Sequence, residues 1–253
     1  MTAIPATQRG YGEPRSSNDL EPDPYVGRVW PSALEASATP QLRSPQSHRS
    51  TPGVPGEQSG DAARVAASRA TSLIRRFIVG NDLDALLTVT LDSDGCVART
   101  KVLLKNALRQ ARRAQDLAFP YVWVPERANK TGRLHVHLVT RMLSAQRLAE
   151  FWQLGMTRLD LVDTVEDRRA LATYLAKDFE SLVPGFQSRY SPSRGFGIEA
   201  IEITAASPRE FIERAGAVLG GGLPNYEVMP GPGRHTVFAQ WPDSLSNNLD
   251  SEK

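Results

Sequence analysis

The stretch GRLHVHLVT, residues 132–140, holds two of the four histidines of the chain, separated by a single valine. Residues two positions apart share one face of a β-strand, so His135 and His137 are predicted to point the same way. Leu134, Val136 and Leu138 would then point into a core on the other side. Because neutral imidazole is the commonest metal ligand in proteins, this strand is a candidate metal site. A half-buried strand whose polar face merely carries histidines is the alternative.

The composition predicts a cytoplasmic protein, part of which does not fold. Only 40% of the 253 residues are hydrophobic, and the formal net charge is +2. The single cysteine, Cys96, excludes a disulfide within the chain and a Cys-based zinc site, and it fits a reducing compartment. No apolar run approaches the roughly 20 residues of a membrane span, and residues 1–19 show no hydrophobic signal core. We therefore expect no membrane partner.

Three regions are predicted along the chain. Residues 1–58 have the composition of a disordered tail, because half of the 18 prolines fall there among serine, glutamine and glycine. Such a segment buries too little apolar surface to offset the entropy cost of ordering. Residues 59–222 are predicted to form the folded domain, and residues 223–253 a C-terminal extension that is partly flexible.

The predicted elements between residues 85 and 183 alternate in the order β-α-β-β-α-β-α. Strands are expected at 85–91, 121–124, 132–140 and 157–163, and helices at 99–118, 144–155 and 165–183. The first six elements match the split β-α-β-β-α-β arrangement of ferredoxin-like and RRM-like folds. We predict an α+β fold whose antiparallel sheet carries helices on one face. The histidine strand would lie in the middle, and its polar face would be open.

A carboxylate precedes the histidine strand in the chain. Residues 121–126 and 133–139 flank a glycine-containing loop, which predicts a β-hairpin that brings Glu126 to the face of His135 and His137. One carboxylate with two imidazoles would bind Mn²⁺ or Mg²⁺ and leave positions open for substrate oxygens. For Glu126 alone, a surface residue beside a loop is the alternative.

The segment TYLAKDF, residues 173–179, places Tyr174 and Lys177 three residues apart on a predicted helix, where they would be neighbours. A tyrosine hydroxyl, with a pKa of about 10, is a poor nucleophile. A nearby ammonium and a metal-polarised electrophile would both help it. An amphipathic tyrosine at the boundary of the core is the alternative.

A basic stripe is predicted on the helix at 99–118, formed by Lys101, Lys105, Arg109 and Arg112. Residues 96–115 include no acidic side chain. Like charges without matching acids repel each other, which favours a polyanionic partner. A solvated helix face is the alternative.

Taken in order, these motifs resemble those of the HUH endonucleases, specifically the rolling-circle replication initiators of phages and plasmids. TVTL (88–91) resembles the first motif of this family, and PERANKTGRLHVHLV (125–139) resembles its metal motif. FWQLG, LDLVD and ATYLAKDF follow in the family's order, and RYSPSRGFG (189–197) is weakly similar to a later Arg/Ser-rich segment. The resemblance covers residues 84–200.

The resemblance implies that DNA is nicked as a single strand at a replication origin, through a 5′-phosphotyrosine link and a free 3′-hydroxyl. It implies His135, His137 and Glu126 as ligands of Mn²⁺ or Mg²⁺, Tyr174 as nucleophile and Lys177 as its helper. The residues that would bind the DNA are Lys101, Lys105, Arg109, Arg112 and Arg133. A host helicase and a polymerase are the further partners. Where some relatives carry a second tyrosine this chain has Asp178, which indicates a single-tyrosine enzyme and leaves open how a round of replication ends.

Other functions stay open at this point. A plasmid-mobilisation relaxase or a single-strand transposase would use the same chemistry. A non-catalytic nucleic-acid-binding module would need stacking aromatic residues on its strands, for which Tyr121 and Trp123 are the main candidates. A two-histidine phosphoesterase acting on RNA ends would need two H-x-T/S motifs, and His235-Thr236 and His48-Arg49-Ser50 fit that pattern poorly.

Overall fold

The computed structural model describes residues 24–41, 60–91, 97–128, 131–152, 155–179, 182–231 and 234–242. Within these ranges the chain forms two five-stranded antiparallel sheets and five α-helices, so the predicted α+β class is confirmed. The helices are α1 (Gly60–Gly80), α2 (Val97–Gln115), α3 (Met142–Phe151), α4 (Val165–Leu175) and α5 (Pro208–Val218). The strands are β1 (Tyr25–Trp30), β2 (Glu35–Pro40), β3 (Ala85–Thr90), β4 (Tyr121–Arg127), β5 (Leu134–Thr140), β6 (Met156–Leu161), β7 (Ser191–Pro192), β8 (Ile201–Ala205), β9 (Asn225–Gly231) and β10 (Arg234–Gln240). None of the described helices is long and apolar enough to cross a membrane.

The first sheet, which we call the histidine sheet, has the strand order β6-β3-β5-β4-β7. Its first four strands follow the ferredoxin-like order, in which β3 and β5 are neighbours in the middle, as predicted. The β4–β5 hairpin is also confirmed, because Glu126 pairs with His135 in its register. Val136 and Leu138 of β5 lie in one core with Leu104 and Leu108 of α2. The helices between the strands, α2 and α3, therefore cover this face.

The opposite face, which carries the histidines, is not fully open, and the prediction that helices lie on one face only is wrong. Val122 and Val139 share a core with Ile78 of α1 and Leu171 of α4. These valines form an apolar patch at one end of the face, and burying that patch is favourable. The histidines lie at the other end, where a groove remains.

The second sheet has the order β8-β1-β2-β10-β9, and α5 packs against it. Its core includes Val29, Ala36, Phe211 and Val237. The prediction of a disordered tail over residues 1–58 is wrong for residues 24–41, which supply central strands. Their apolar burial depends on β8 and β10, far along the chain, so local composition did not reveal it. The rest of the predicted tail lies outside the described residues.

The predicted C-terminal extension, residues 223–253, also contains regular structure. Strands β9 and β10 pair with each other, and β10 pairs with β2. Most of the extension is therefore part of the second sheet, because its alternating side chains fit beside β2. Residues 243–253 lie outside the described residues.

Buried polar contacts join the second sheet to α1 and α4. The Glu35 carboxylate, which is fully buried, accepts hydrogen bonds from Arg75, from Arg76 (3.0 Å) and from Gln240 (3.2 Å). From α4, Arg169 Nη2 donates to the carbonyl oxygens of Trp241 (2.8 Å) and Leu34 (3.3 Å). The helix that carries Tyr174 is thus bonded directly to the second sheet.

Two helix ends differ from the sequence prediction. Helix α3 begins after Arg141, and Ser144 is not its N-cap. Ser144 is instead buried, and its Oγ donates to Gln115 Oε1 at 3.1 Å. Helix α4 ends at Leu175 rather than continuing to residue 183. The predicted start of α5 is confirmed, because the Ser207 side chain caps the Glu210 N–H and Pro208 is the first helical residue.

Candidate active site

A row of polar side chains crosses the open end of the histidine sheet. Strand β5 contributes His135 and His137, whose ring centres lie 6.3 Å apart on one face, as predicted. In the strand register, Thr88 lies opposite His137 and Thr90 opposite His135. Side chains of directly opposite residues share a face, so the two threonines flank the two imidazoles.

The threonines orient the imidazoles. Thr88 Oγ1 lies 3.1 Å from His137 Nδ1, and Thr90 Oγ1 lies 3.5 Å from His135 Nδ1. On its other side, His137 Nε2 lies 2.7 Å from Glu126 Oε2. An ionised carboxylate only accepts hydrogen bonds, so the His137 proton lies on Nε2 and Thr88 donates to Nδ1. A hydrogen bond to one ring nitrogen sets what the other can bind.

The charges of the site follow from these contacts. Burial lowers the pKa of His137, and the nearby Glu126 carboxylate only partly opposes that effect. Burial would raise the pKa of Glu126, but hydrogen bonds from Lys177 and His137 outweigh it and lower the pKa. Burial would lower the pKa of Lys177, and its bond to Glu126 outweighs this effect and raises the pKa. At neutral pH the site therefore holds a neutral imidazole, a carboxylate and an ammonium.

The donor set of His135, His137 and Glu126 fits a divalent cation chemically, because neutral imidazole and ionised carboxylate are ligand forms. Within the described residues, however, no three His, Cys, Asp or Glu side chains are grouped as a ready metal site. The Glu126 carboxylate is engaged by the His137 imidazole and by Lys177 Nζ at 2.8 Å. A cation would have to replace the proton that joins His137 to Glu126.

Tyr174 lies against this cluster from α4. Its ring meets the His137 ring edge to face, with centres 6.1 Å apart, and the residue is 48% exposed. Lys177 Nζ lies 4.3 Å from the centre of the Tyr174 ring. The prediction that both residues lie on one helix is wrong for Lys177, which follows the C-cap Ala176. The turn continues far enough for the Lys177 N–H to bond the Tyr174 carbonyl, so the two side chains stay adjacent.

Two concavities adjoin the site. A groove of about 490 Å³ is lined by Leu86, Thr88, Thr90, His135, His137, Met156, Thr157, Arg158, Asp160 and Tyr174. A smaller pocket of about 210 Å³ lies on the other side of Glu126 and Lys177, with apolar walls that include Leu175 and Phe179. The tyrosine hydroxyl and the imidazoles are therefore accessible to a ligand.

The basic stripe of α2 lies on the layer opposite the histidines, since α2 packs on the other face of the sheet. Lys101 Nζ donates to the Gly185 carbonyl at 2.9 Å, and the Arg112 guanidinium lies 5.4 Å from the Tyr121 ring centre. Lys105 and Arg109 are exposed. Arg133 is also exposed, and it lies two residues before His135 at the end of the sheet that carries the site. Of the predicted DNA contacts, the structure brings only Arg133 close to the histidines.

The observed placement of other residues weakens two alternatives. Tyr121 and Trp123 lie on the helix-covered face, where Trp123 packs edge-on against Phe186 with ring centres 5.7 Å apart. They are thus unavailable to stack bases on the histidine face. His235 lies in β10 of the second sheet, remote from His135 and His137 in the topology, and His48 lies outside the described residues.

Sequence reasoning missed Arg158 and Asp160 of β6. They line the groove because β6 pairs with β3 and places Arg158 opposite Thr88 and Asp160 opposite Leu86. The alternating pattern of TRLDL predicts the strand, but only its pairing partner shows which face the charged residues occupy. The roles of Thr88 and Thr90 were missed too, although the TVTL motif that contains them was noticed.

The whole candidate site falls in the part of the chain that is similar to a known family. Residues 84–181 match the family model described as replication-associated protein ORF2. The match covers less than half of the 253 residues, but it includes Glu126, both histidines, Tyr174 and Lys177. No curated protein and no solved structure matches the chain significantly. The chain is therefore similar, over the strands and the helix that build its site, to replication-associated proteins, and this similarity supports a role in the initiation of replication.

Proposed function

We propose that this protein nicks and rejoins one strand of DNA through a covalent link to Tyr174, and so initiates rolling-circle replication. The observation that carries the proposal is the placement of Tyr174 against His137, with Lys177 beside both Tyr174 and Glu126. A half-exposed tyrosine held at the end of a packed helix suits in-line attack, which needs precise positioning. The similarity to replication-associated proteins supplies the substrate class.

The chemical step is a transesterification at phosphorus. The Tyr174 oxygen forms a bond to the scissile phosphorus while the bond from phosphorus to the 3′ oxygen breaks. The phenol proton passes to solvent and the departing 3′ oxygen takes up a proton. The products are a 5′-phosphotyrosine and a free 3′-hydroxyl, so the DNA can later be rejoined by the reverse reaction.

Each neighbour of Tyr174 has a part in this proposal. Lys177 would offset the negative charge that develops on the phenolate and the phosphate. Thr88 and Thr90 would hold the imidazoles in a fixed orientation. His135, His137 and Glu126 would hold Mn²⁺ or Mg²⁺, which when bound would polarise the scissile phosphate. The DNA would enter as a single strand through the groove beside β6.

The test is to trap the covalent product. The protein is incubated with Mn²⁺ and labelled single-stranded fragments of its own replicon, and labelled protein is sought after denaturation. Tyr174→Phe keeps the ring and its contact with His137 but removes the nucleophilic oxygen, so it should fold and form no adduct. Tyr226→Phe is the matched control, since Tyr226 is also exposed but lies in the second sheet. An adduct mapped to Tyr190, or one that persists in Tyr174→Phe, would overturn the assignment.

A further inference from the structure

The histidine face offers a polyanionic strand very little positive charge beyond Lys177. Among the described residues that line the 490 Å³ groove, Arg158 is the only lysine or arginine. Its side chain is 78% exposed and forms an ion pair with Asp160, whose side chain is 36% exposed. Both residues belong to β6, an edge strand of the histidine sheet. This pair is not needed for the tyrosine chemistry described above.

The strand register fixes where Arg158 lies relative to the reacting groups. Arg158 is opposite Thr88 on β3, and Thr88 is opposite His137 on β5. Arg158 and His137 thus lie in one row, two strands apart, which is about 10 Å at the usual strand spacing. An arginine at this distance is too far to contact the phosphate at His137 through a short bond, but it can reach the next part of the same strand.

We propose that Arg158 and Asp160 form a binding site for one backbone phosphate of the single strand, next to the scissile phosphate. The proposal rests on the proposed function, because it takes single-stranded DNA as the occupant of the groove. Met156 lies on the same face, one row away, and is 71% exposed, so it offers apolar contact to the sugar or base beside that phosphate.

The contacts of Arg158 suit an exchange of anions. Its Nε (3.0 Å) and Nη2 (2.9 Å) both bond the same oxygen, Asp160 Oδ1. A phosphate offers two oxygens to the guanidinium fork and is therefore the better match. Exposed ion pairs contribute little to stability, so an incoming phosphate can displace the carboxylate. Asp160 then acts as a competitor that holds Arg158 in place until the strand arrives.

The experiment measures binding in the Tyr174→Phe background, where no covalent product forms. The probe is a fluorescein-labelled oligothymidylate, because phosphate contacts do not depend on sequence. Anisotropy is followed over a range of KCl concentrations. Arg158→Gln should weaken binding roughly tenfold, the loss of one charge-assisted hydrogen-bonded contact. It should also lower the slope of log affinity against log salt by about 0.7, the value for one phosphate on a single strand.

Two further variants make the result specific. Asp160→Asn removes the competing anion and should tighten binding. Arg209→Gln is the matched control, because Arg209 forms an exposed ion pair of 2.9 Å with Glu213 on α5, in the second sheet's layer. It should bind like the background protein. The proposal is overturned if Arg158→Gln binds as tightly as Arg209→Gln, if it loses affinity with an unchanged salt slope, or if Asp160→Asn weakens binding.

The outcome is separable from that of the proposed function. Weaker binding by Arg158→Gln without any adduct in the wild type would support the phosphate site and contradict the nicking proposal. An adduct at Tyr174 with no effect of Arg158→Gln on binding would do the reverse.

Discussion

Glu35 in the second sheet and Glu126 in the histidine sheet are both strand carboxylates bound by cationic side chains, but their surroundings differ. The Glu35 side chain is fully buried and is bound by two arginines of α1. The Glu126 side chain is 21% exposed and is bound by His137 and Lys177. Arginine stays charged in proteins, whereas histidine and lysine can lose a proton. The same ion-pair chemistry therefore makes a permanent joint where it is sealed, and a site open to substrate where its partners are titratable and water can enter.

The largest effect is expected when the open cluster loses an imidazole. His135→Ala and His137→Ala should each abolish nicking, because each removes a proposed metal ligand. DNA affinity should change little, since phosphate contacts supply most of it. Any stabilisation by Mn²⁺ in a thermal melt should vanish in both variants. His235→Ala, a histidine change in the second sheet, is the matched control and should nick normally. Wild-type nicking by either site variant would remove the metal assignment.

The next effect concerns the sealed carboxylate. Glu35→Ala leaves Arg75 and Arg76 buried without their anion, which should cost about 3–5 kcal/mol of unfolding free energy. Glu126→Gln should abolish nicking but cost less than about 1 kcal/mol, because Lys177 is 39% exposed and water can solvate it. Urea unfolding of both variants measures the difference. Equal losses of stability would show that the comparison between the two carboxylates is wrong.

Lys177 allows the open cluster to be weakened rather than destroyed. Lys177→Gln keeps a donor beside Glu126 and Tyr174 but removes the charge. Single-turnover nicking should slow by roughly a hundredfold, as for the loss of one group that stabilises transition-state charge. Lys177→Arg should slow the reaction less. An unchanged rate in Lys177→Gln would mean that Lys177 only holds Glu126 in place.

The smallest effect is expected on the far side of the histidine sheet. The double variant Lys105→Gln, Arg109→Gln alters the exposed part of the basic stripe on α2. If both residues bind phosphates, the salt slope of DNA binding should fall by about 1.4. The nicking rate of bound DNA should not change, because α2 lies on the face opposite His137. A slower single-turnover rate would indicate that the nicked strand wraps around both faces.

Most of the histidine sheet could be predicted from the sequence, because its signals are local. The alternation around His135 and His137 identified the strand, the face and the core residues opposite, and the short loop after Glu126 indicated the hairpin. The helix cap at Ser207 was equally readable, since a cap depends on its nearest neighbours.

The second sheet could not be predicted in this way. Residues 24–41 gain their partners from strands near the other end of the chain, and no local pattern reports such pairing. The position of Lys177 was misjudged for a related reason, because the end of α4 at Leu175 depends on packing rather than on helix propensity. Arg158 was missed because an edge strand's charged residues acquire a direction only once the neighbouring strand is known.

The order of strands in the second sheet has a consequence for synthesis of the chain. Strands β1 and β2 are made first, but β2 pairs with β10 and β1 with β8, which leave the ribosome last. The histidine sheet is continuous in sequence between residues 85 and 192 and closes before them. A chain whose translation stops before residue 234 would hold every proposed catalytic residue, yet β2 would present an unpaired edge prone to aggregation. Incomplete copies would thus be removed before they could cut DNA.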